Sequence, residues 1–272
     1  VGERLATHPG IGKLVFTGST ATGARVMAAA APTIKQVTLE LGGKSANIVF
    51  ADADLEKAAA TAPYGVFENA GQDCCARSRI LVQAEVLDDF MALLEPAVLG
   101  VKVGLPTDEA TEMGPLVARA HWDKVASYVP DDAPVAIRGH APEGPGLWFP
   151  PTVLTPERGD RTVTEEIFGP VVTVLPFRDE ADAVALANDT AYGLSGSLWT
   201  RDLSRAIRVS RAVEAGNLSV NSHSSVRYAT PFGGFKQSGI GRELGPDAPR
   251  AFTETKNVFL AIEDDPTKED HA

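Results

Sequence analysis

Apolar residues near the start of the chain come in short runs punctuated by glycine, a pattern of buried strands rather than long helices. Leu14, Val15 and Phe16 make the first such run and predict a strand over Lys13–Thr17. An alanine-rich stretch at 20–30 follows Gly18 and Ser19 and predicts a helix. Further strands are predicted at 36–40, 46–50, 79–83, 171–175, 194–200 and 217–221, with helices at 54–69, 84–99, 117–129, 180–188 and 203–213. Strands alternating with helices of this length place the chain in the α/β class, with a largely parallel sheet. Segment 130–151 holds six prolines and reads as loop around a weak strand near Val135. The alternation at 253–262 predicts a terminal strand with no evident partner in this chain. The charged residues 263–272 read as a disordered tail.

Composition narrows the field. At roughly 150 residues per domain, 272 residues make one large domain or two ordinary ones. With 44% hydrophobic residues the chain has enough apolar material for a core, which excludes intrinsic disorder as its general state. The net charge of -11 repels phosphate backbones and anionic lipid, and no run of five Lys or Arg occurs to reverse it locally. Neither a nucleic-acid nor a membrane partner is expected, since the apolar runs at 27–32 and 45–50 fall far short of the ~18 residues of a span. Adjacent Cys74 and Cys75 cannot build a disulfide framework without strain, so a reducing compartment, the cytoplasm, fits best. The five histidines lack metal-ligand spacing and no Cys-x-x-Cys occurs, so no metal site is expected. The opening Val1-Gly2-Glu3 has no initiator Met and no signal-peptide pattern, and reads as the middle of something longer.

Five segments have chemical potential. Phe-Thr-Gly-Ser-Thr-Ala-Thr-Gly at 16–23 sets Gly18 and Gly23 between a strand and a helix; it is either a plain turn or a phosphate cradle built on helix amides and Ser19. Glu40 ends an apolar strand before Gly42-Gly43, as a capping carboxylate or as a general base of raised pKa. Gly-Gln-Asp-Cys-Cys-Ala-Arg-Ser-Arg at 71–79 puts Arg77 and Arg79 near a cysteine, where a lowered thiol pKa would make a nucleophile; a bystander thiol is the equal alternative. Glu-Glu-Ile-Phe-Gly-Pro at 165–170 is a solvated acidic turn or a ligand contact. Thr-Pro-Phe-Gly-Gly-Phe-Lys-Gln-Ser-Gly at 230–239 is a surface loop or a pocket wall.

Taken together, these motifs in this order resemble the aldehyde dehydrogenase family over nearly the whole chain, up to the acidic tail. The carriers are the run at 16–23, Leu-Glu-Leu-Gly-Gly-Lys at 39–44, Gly-Gln-x-Cys at 71–74, Glu-Glu-Ile-Phe-Gly-Pro at 165–170 and Pro-Phe-Gly-Gly at 231–234. The resemblance implies oxidation of a small-molecule aldehyde to an acid with NAD or NADP, with Cys74 as nucleophile and Glu40 as general base. It puts Gly18, Ser19 and Gly23 at the cofactor pyrophosphate, Glu166 at the nicotinamide ribose, Leu41 and Phe168 in the cofactor site, and Phe232 in the aldehyde channel. His121 stands where many members use Gln to touch that ribose, a departure from the family pattern. It also implies a division into the end of a Rossmann-like nucleotide-binding domain (1–42), a catalytic domain (43–242), and a return segment with an oligomerisation strand (243–262) serving a homo-dimer or homo-tetramer. Most of the nucleotide-binding half would then precede Val1. Two other functions compete: a catalytically silent fragment of this family, or a cofactor-independent cysteine esterase.

Overall fold

Ser19 starts the first long helix by accepting the Thr22 amide on its Oγ at 3.3 Å, as the glycine-serine break predicts. The computed structural model describes residues 1–224 and 226–261. Helix α1 (Gly2–Thr7) leads to β1 (Lys13–Thr17), α2 (Thr20–Ala30) and β2 (Gln36–Glu40), the two strands parallel with Thr17 opposite Glu40. Gly42-Gly43 carries the chain into a second sheet at β3 (Ala46–Val49). There follow α3 (Leu55–Phe67), capped by Asp54, then β4 (Arg79–Gln83), α4 (Leu87–Leu99) and α5 (Arg119–Ala126). Next come β5 (Val135–Arg138), β6 (Thr152–Leu154), α6 (Arg161–Thr164), β7 (Val171–Phe177) and α7 (Glu180–Asn188). The chain continues through β8 (Tyr192–Gly193), β9 (Ser195–Trp199), α8 (Leu203–Ala212) and β10 (Asn217–Val220) to two short strands, β11 (Phe235–Lys236) and β12 (Gly239–Ile240).

The larger sheet runs β10-β9-β3-β4-β7-β6-β5, parallel throughout except where β5 meets β6. Side-chain alternation divides its core in two. Val49, Ile80, Val82 and Val174 pack with α3 and α4 residues such as Ala58, Ala59, Phe90 and Leu94. Ile48, Leu81, Leu175 and Leu198 pack on the other face with Ala183 and Leu186 of α7 and Ala206 and Val209 of α8. Each Val, Leu, Ile or Phe side chain among these removed from water contributes ~1.5–3 kcal/mol, and covering both faces is what a parallel sheet requires. The smaller sheet, β1-β2-β12, gains its third strand when Gly239 and Ile240 return to pair antiparallel with Glu40 and Leu39. That return brings the glycine-rich loop onto the end of β2.

Two expectations change. The helix predicted over 117–129 is trimmed at both ends to α5: Ala118 is extended (φ -155°, ψ 153°) and caps the start, and the helix ends before the turn that leads to Pro130. The strand predicted over 253–262 is not formed in its described part: 253–261 run without a ladder partner, with Val258, Phe259 and Leu260 exposed. A strand exists only where another strand accepts its amides, and no described strand of this chain does so here. Ile262 and the predicted tail at 263–272 lie outside the described residues.

Among the described residues β1 has β2 as its only ladder neighbour. Val15 on this edge is 44% exposed, and Leu5, Leu14, Phe16, Val26 and Ala29 line a groove of about 570 Å³. An open apolar edge recruits another strand. The 272 residues expressed alone should therefore self-associate in sedimentation, with Val15→Lys shifting the population towards monomer. A monodisperse monomer at high concentration would contradict this.

Candidate active site

β2 delivers Glu40 to the point where the chain leaves the small sheet. The residue is 3% exposed, and neither carboxylate oxygen has a hydrogen-bond partner among the described residues. Burial pushes its pKa up to about 8, the Glu243 carboxylate adds to the rise, and the Arg242 guanidinium opposes it. A buried carboxyl with nothing bonded to it is suited to exchange a proton near neutral pH.

Gly42 and Gly43 allow two other loops to close in. A Cβ on Gly42 would collide with the Glu166 carboxylate, and one on Gly43 with the Cys74 carbonyl. The Gly43 amide donates to Glu166 Oε1 at 2.9 Å. One turn thus touches the Cys74 loop on one side and the 165–170 loop on the other, directly after Glu40. Ser238 holds the turn from behind: wholly buried, its Oγ donates to the Gly42 carbonyl at 2.6 Å and accepts from the Gly193 amide at 2.9 Å. Sequence reasoning missed Ser238; its one signal was a small polar residue inside a glycine-rich loop.

The predicted phosphate cradle adjoins this turn. The Gly18 amide donates to the Glu40 carbonyl at 3.1 Å, and a Cβ on Gly23 would strike Leu41 Cδ2. Gly18, Ser19, Gly23 and Leu41 therefore lie at one place, the N-terminus of α2 against the end of β2. Ser19 Oγ is the helix cap and also donates to Thr22 Oγ1 at 3.0 Å.

Cys74 sits on a loop entered through left-handed backbone at Asn69 and Ala70, an unusual run for non-glycine residues. Gln72 pins the loop: its Nε2 donates to the Asn69 carbonyl at 3.0 Å, and its Oε1 accepts the Val117 amide at 2.9 Å. The expected arginine activation of the thiol does not occur. Arg79 turns inward to the carbonyls of Lys44, Leu186 and Ala187. Arg77, 2% exposed, donates to Ser197 Oγ at 2.9 Å, to the His223 carbonyl at 3.0 Å and to the Cys75 carbonyl. Instead, a hydrogen bond with the Cys75 thiol, followed by burial and the neighbouring Cys75 and Asp73, pushes the Cys74 pKa up. Arg79 spends its donors on backbone carbonyls and Arg77 on Ser197 Oγ and two carbonyls, and neither arginine is among the groups that shift the Cys74 pKa.

Glu166 is half-buried and its pKa is raised by burial, against the Gly43 hydrogen bond and the charges of Lys124 and Lys44. Phe168 adopts φ 60°, and its carbonyl accepts from His121 Nε2 at 2.6 Å, which identifies Nε2 as the protonated nitrogen. His121 thereby braces the 165–170 loop from α5. Phe232 is half-buried and exchanges backbone hydrogen bonds of 2.7 Å with Glu243. A 380 Å³ cavity opens beside the Cys74 loop, walled by Tyr64, Asp73, Cys75, Arg77, His223 and Val226. Phe232 is not among its described walls. His223 stays neutral there, its pKa pushed down to about 4 by burial and Arg77.

Comparison with known proteins gives a consistent answer. The sequence model described as "Aldehyde dehydrogenase family" matches residues 1–258. An aldehyde dehydrogenase of Aspergillus niger is 46% identical over 269 residues, 97% of this chain and 54% of that protein. Betaine aldehyde dehydrogenase 2 of Rhizobium meliloti is 45% identical over 268 residues, 97% of this chain and 56% of its own length. Among solved structures, a betaine aldehyde dehydrogenase of Staphylococcus aureus in complex with NAD+ superposes with a TM-score of 0.88 at 41% identity, covering 92% of this chain and 52% of that one. The chain spans about half the length of the relatives it matches.

Proposed function

The chain belongs to the aldehyde dehydrogenase family, and from that premise we propose that it oxidises a small-molecule aldehyde to its carboxylic acid with NAD+ or NADP+. The observation that carries this reading is the turn after Glu40, which adjoins an unpartnered buried carboxyl, the Cys74 loop and the Glu166 carboxylate at once.

The Cys74 thiolate, its proton released to solvent, adds to the aldehyde carbon and forms a tetrahedral thiohemiacetal, whose oxyanion receives the backbone N–H at Cys74. The nicotinamide cofactor, when bound, supplies the hydride acceptor that converts this adduct to a thioester. Glu40 then takes a proton from water, the water oxygen attacks the thioester carbon, and the acid leaves as the sulfur recovers its proton. The residues fit such a cofactor: Gly18, Ser19 and Gly23 at the positive end of α2 suit a pyrophosphate, and the Gly42–Gly43 cradle that a side chain would fill presents Glu166 to a ribose. We assign Leu41, Phe168 and His121 to the surroundings of the nicotinamide, His121 through the Phe168 carbonyl, and Phe232 to the aldehyde channel.

The division at 1–42, 43–242 and 243–262 belongs to this proposal, with the small sheet as the end of the nucleotide-binding unit. So does a homo-dimer or homo-tetramer in which a partner chain receives the 253–262 segment. A free catalytic thiol requires a reducing compartment, so we place the protein in the cytoplasm.

The near-ultraviolet absorbance of reduced nicotinamide is the test. Purified protein given NAD+ or NADP+ with a panel of short aldehydes, betaine aldehyde included, should show aldehyde-dependent growth of that band. Hydrolysis of p-nitrophenyl esters with no such growth would favour the cofactor-independent esterase.

A further inference from the structure

We propose that Asp73, Cys74 and Cys75 form an inhibitory binding site for a thiophilic divalent cation, zinc in particular. The carboxylate oxygen and the two sulfurs lie within 4.8 Å of one another. Tetrahedral zinc, with Zn–S near 2.3 Å, needs its sulfurs roughly 3.8 Å apart, so side-chain rotations moving atoms by about 1 Å close the site. The thiols are already in hydrogen-bond contact. The Cys75 amide donates to Asp73 Oδ1 at 2.9 Å, which fixes the carboxylate over the same turn.

Two further features favour an occupant. Asp73 and Cys75 both face the 380 Å³ cavity, which leaves room for the water that completes a three-ligand zinc site. Charge also balances: two thiolates and one carboxylate carry three negative charges, the cation two positive ones, and buried Arg77, bonded to the Cys75 carbonyl, supplies the third. Two sulfur donors and one oxygen suit zinc over magnesium or calcium, which take oxygen ligands. Spacing rules missed this set because they seek Cys-x-x-Cys and paired histidines, whereas the turn at 73–75 gathers consecutive residues.

Binding breaks two S–H bonds, forms two Zn–S bonds and releases two protons to solvent. The cation then occupies the lone pair with which Cys74 attacks an aldehyde. Its inhibitory character rests on the proposed function; its existence as a site does not.

Zinc is titrated into reduced protein in thiol-free buffer against a chromophoric chelator, while proton release and the rate of Cys74 alkylation by iodoacetamide are followed. One zinc per chain is expected, with two protons released and alkylation slowed at least tenfold. Cys75→Ser should weaken binding at least tenfold, and Asp73→Asn, at an exposed position, should do so less. The site is overturned if alkylation keeps its rate under saturating zinc, or if both variants bind zinc as the parent does. Enzyme stripped with chelator separates the two readings: absence of aldehyde oxidation there refutes the proposed function, while the titration still decides the site.

Discussion

Cys74→Ala should abolish aldehyde oxidation and ester hydrolysis together, by a factor on the order of 10⁶, the scale for deleting a covalent nucleophile. Cys75→Ala, one residue away, should retain most of both activities. The contrast follows from geometry. Cys75 is 6% exposed and its carbonyl is tied to Arg77, whereas Cys74 is half-buried on the loop that lies against Gly43. Removing the Cys75 thiol also removes the hydrogen bond that holds the Cys74 proton, so the remaining thiol should ionise more readily. Iodoacetamide should accordingly alkylate Cys74 faster in Cys75→Ala than in the parent. Equal loss in both variants, or loss only in Cys75→Ala, would move the nucleophile to Cys75.

The central strands β3, β4, β7 and β9 were legible because they are buried on both faces and read as apolar runs, as at Ile80, Leu81 and Val82, whereas β6, equally buried but only three residues long after Pro150-Pro151, was missed. Helices α2, α3 and α7 announced themselves through alanine content and caps at Ser19, Asp54 and Asp179. Short elements were not legible. β8, β11 and β12 have two residues each and are defined by what they pair with, not by any period. β12 matters most, since it brings the glycine-rich loop to Glu40 from almost 200 residues away in sequence. Candidate site residues could be named from the chain, but their electrostatics could not. Two arginines near a cysteine in sequence leave a lowered thiol pKa and a bystander thiol equally open, and in the fold Arg77 spends its donors on Ser197 Oγ and two carbonyls and Arg79 on three carbonyls. The raised pKa of Glu40 depends equally on contacts no local pattern encodes, namely Glu243 and the packing of Gly233, where a Cβ would stand 2.9 Å from Glu40 Oε1.

Glu40→Gln should let the thioester form and then trap it. Losing a general base costs about 10²–10⁴-fold, and here the loss should fall on hydrolysis of the thioester. Rapid mixing should show a burst of reduced cofactor of near-normal amplitude, followed by a collapsed steady rate. The pH profile supplies a second signature. With the Glu40 pKa near 8, only about a tenth of the enzyme carries the ionised base at pH 7, so parental turnover should climb nearly tenfold per pH unit below 8 and level off above it. The glutamine variant should lose that slope. Stability moves in the opposite sense. Because the folded pKa lies above the unfolded value of 4.5, the fold holds the Glu40 proton more tightly than the unfolded chain does. That contribution is complete below pH 4.5 and drains away as pH rises through 8. Glutamine resembles the protonated acid at every pH, so the variant's melting midpoint should fall less than the parent's between pH 5 and 9. Normal steady turnover in Glu40→Gln would remove Glu40 from the mechanism, and loss of the burst itself would assign it to activating the Cys74 thiol instead.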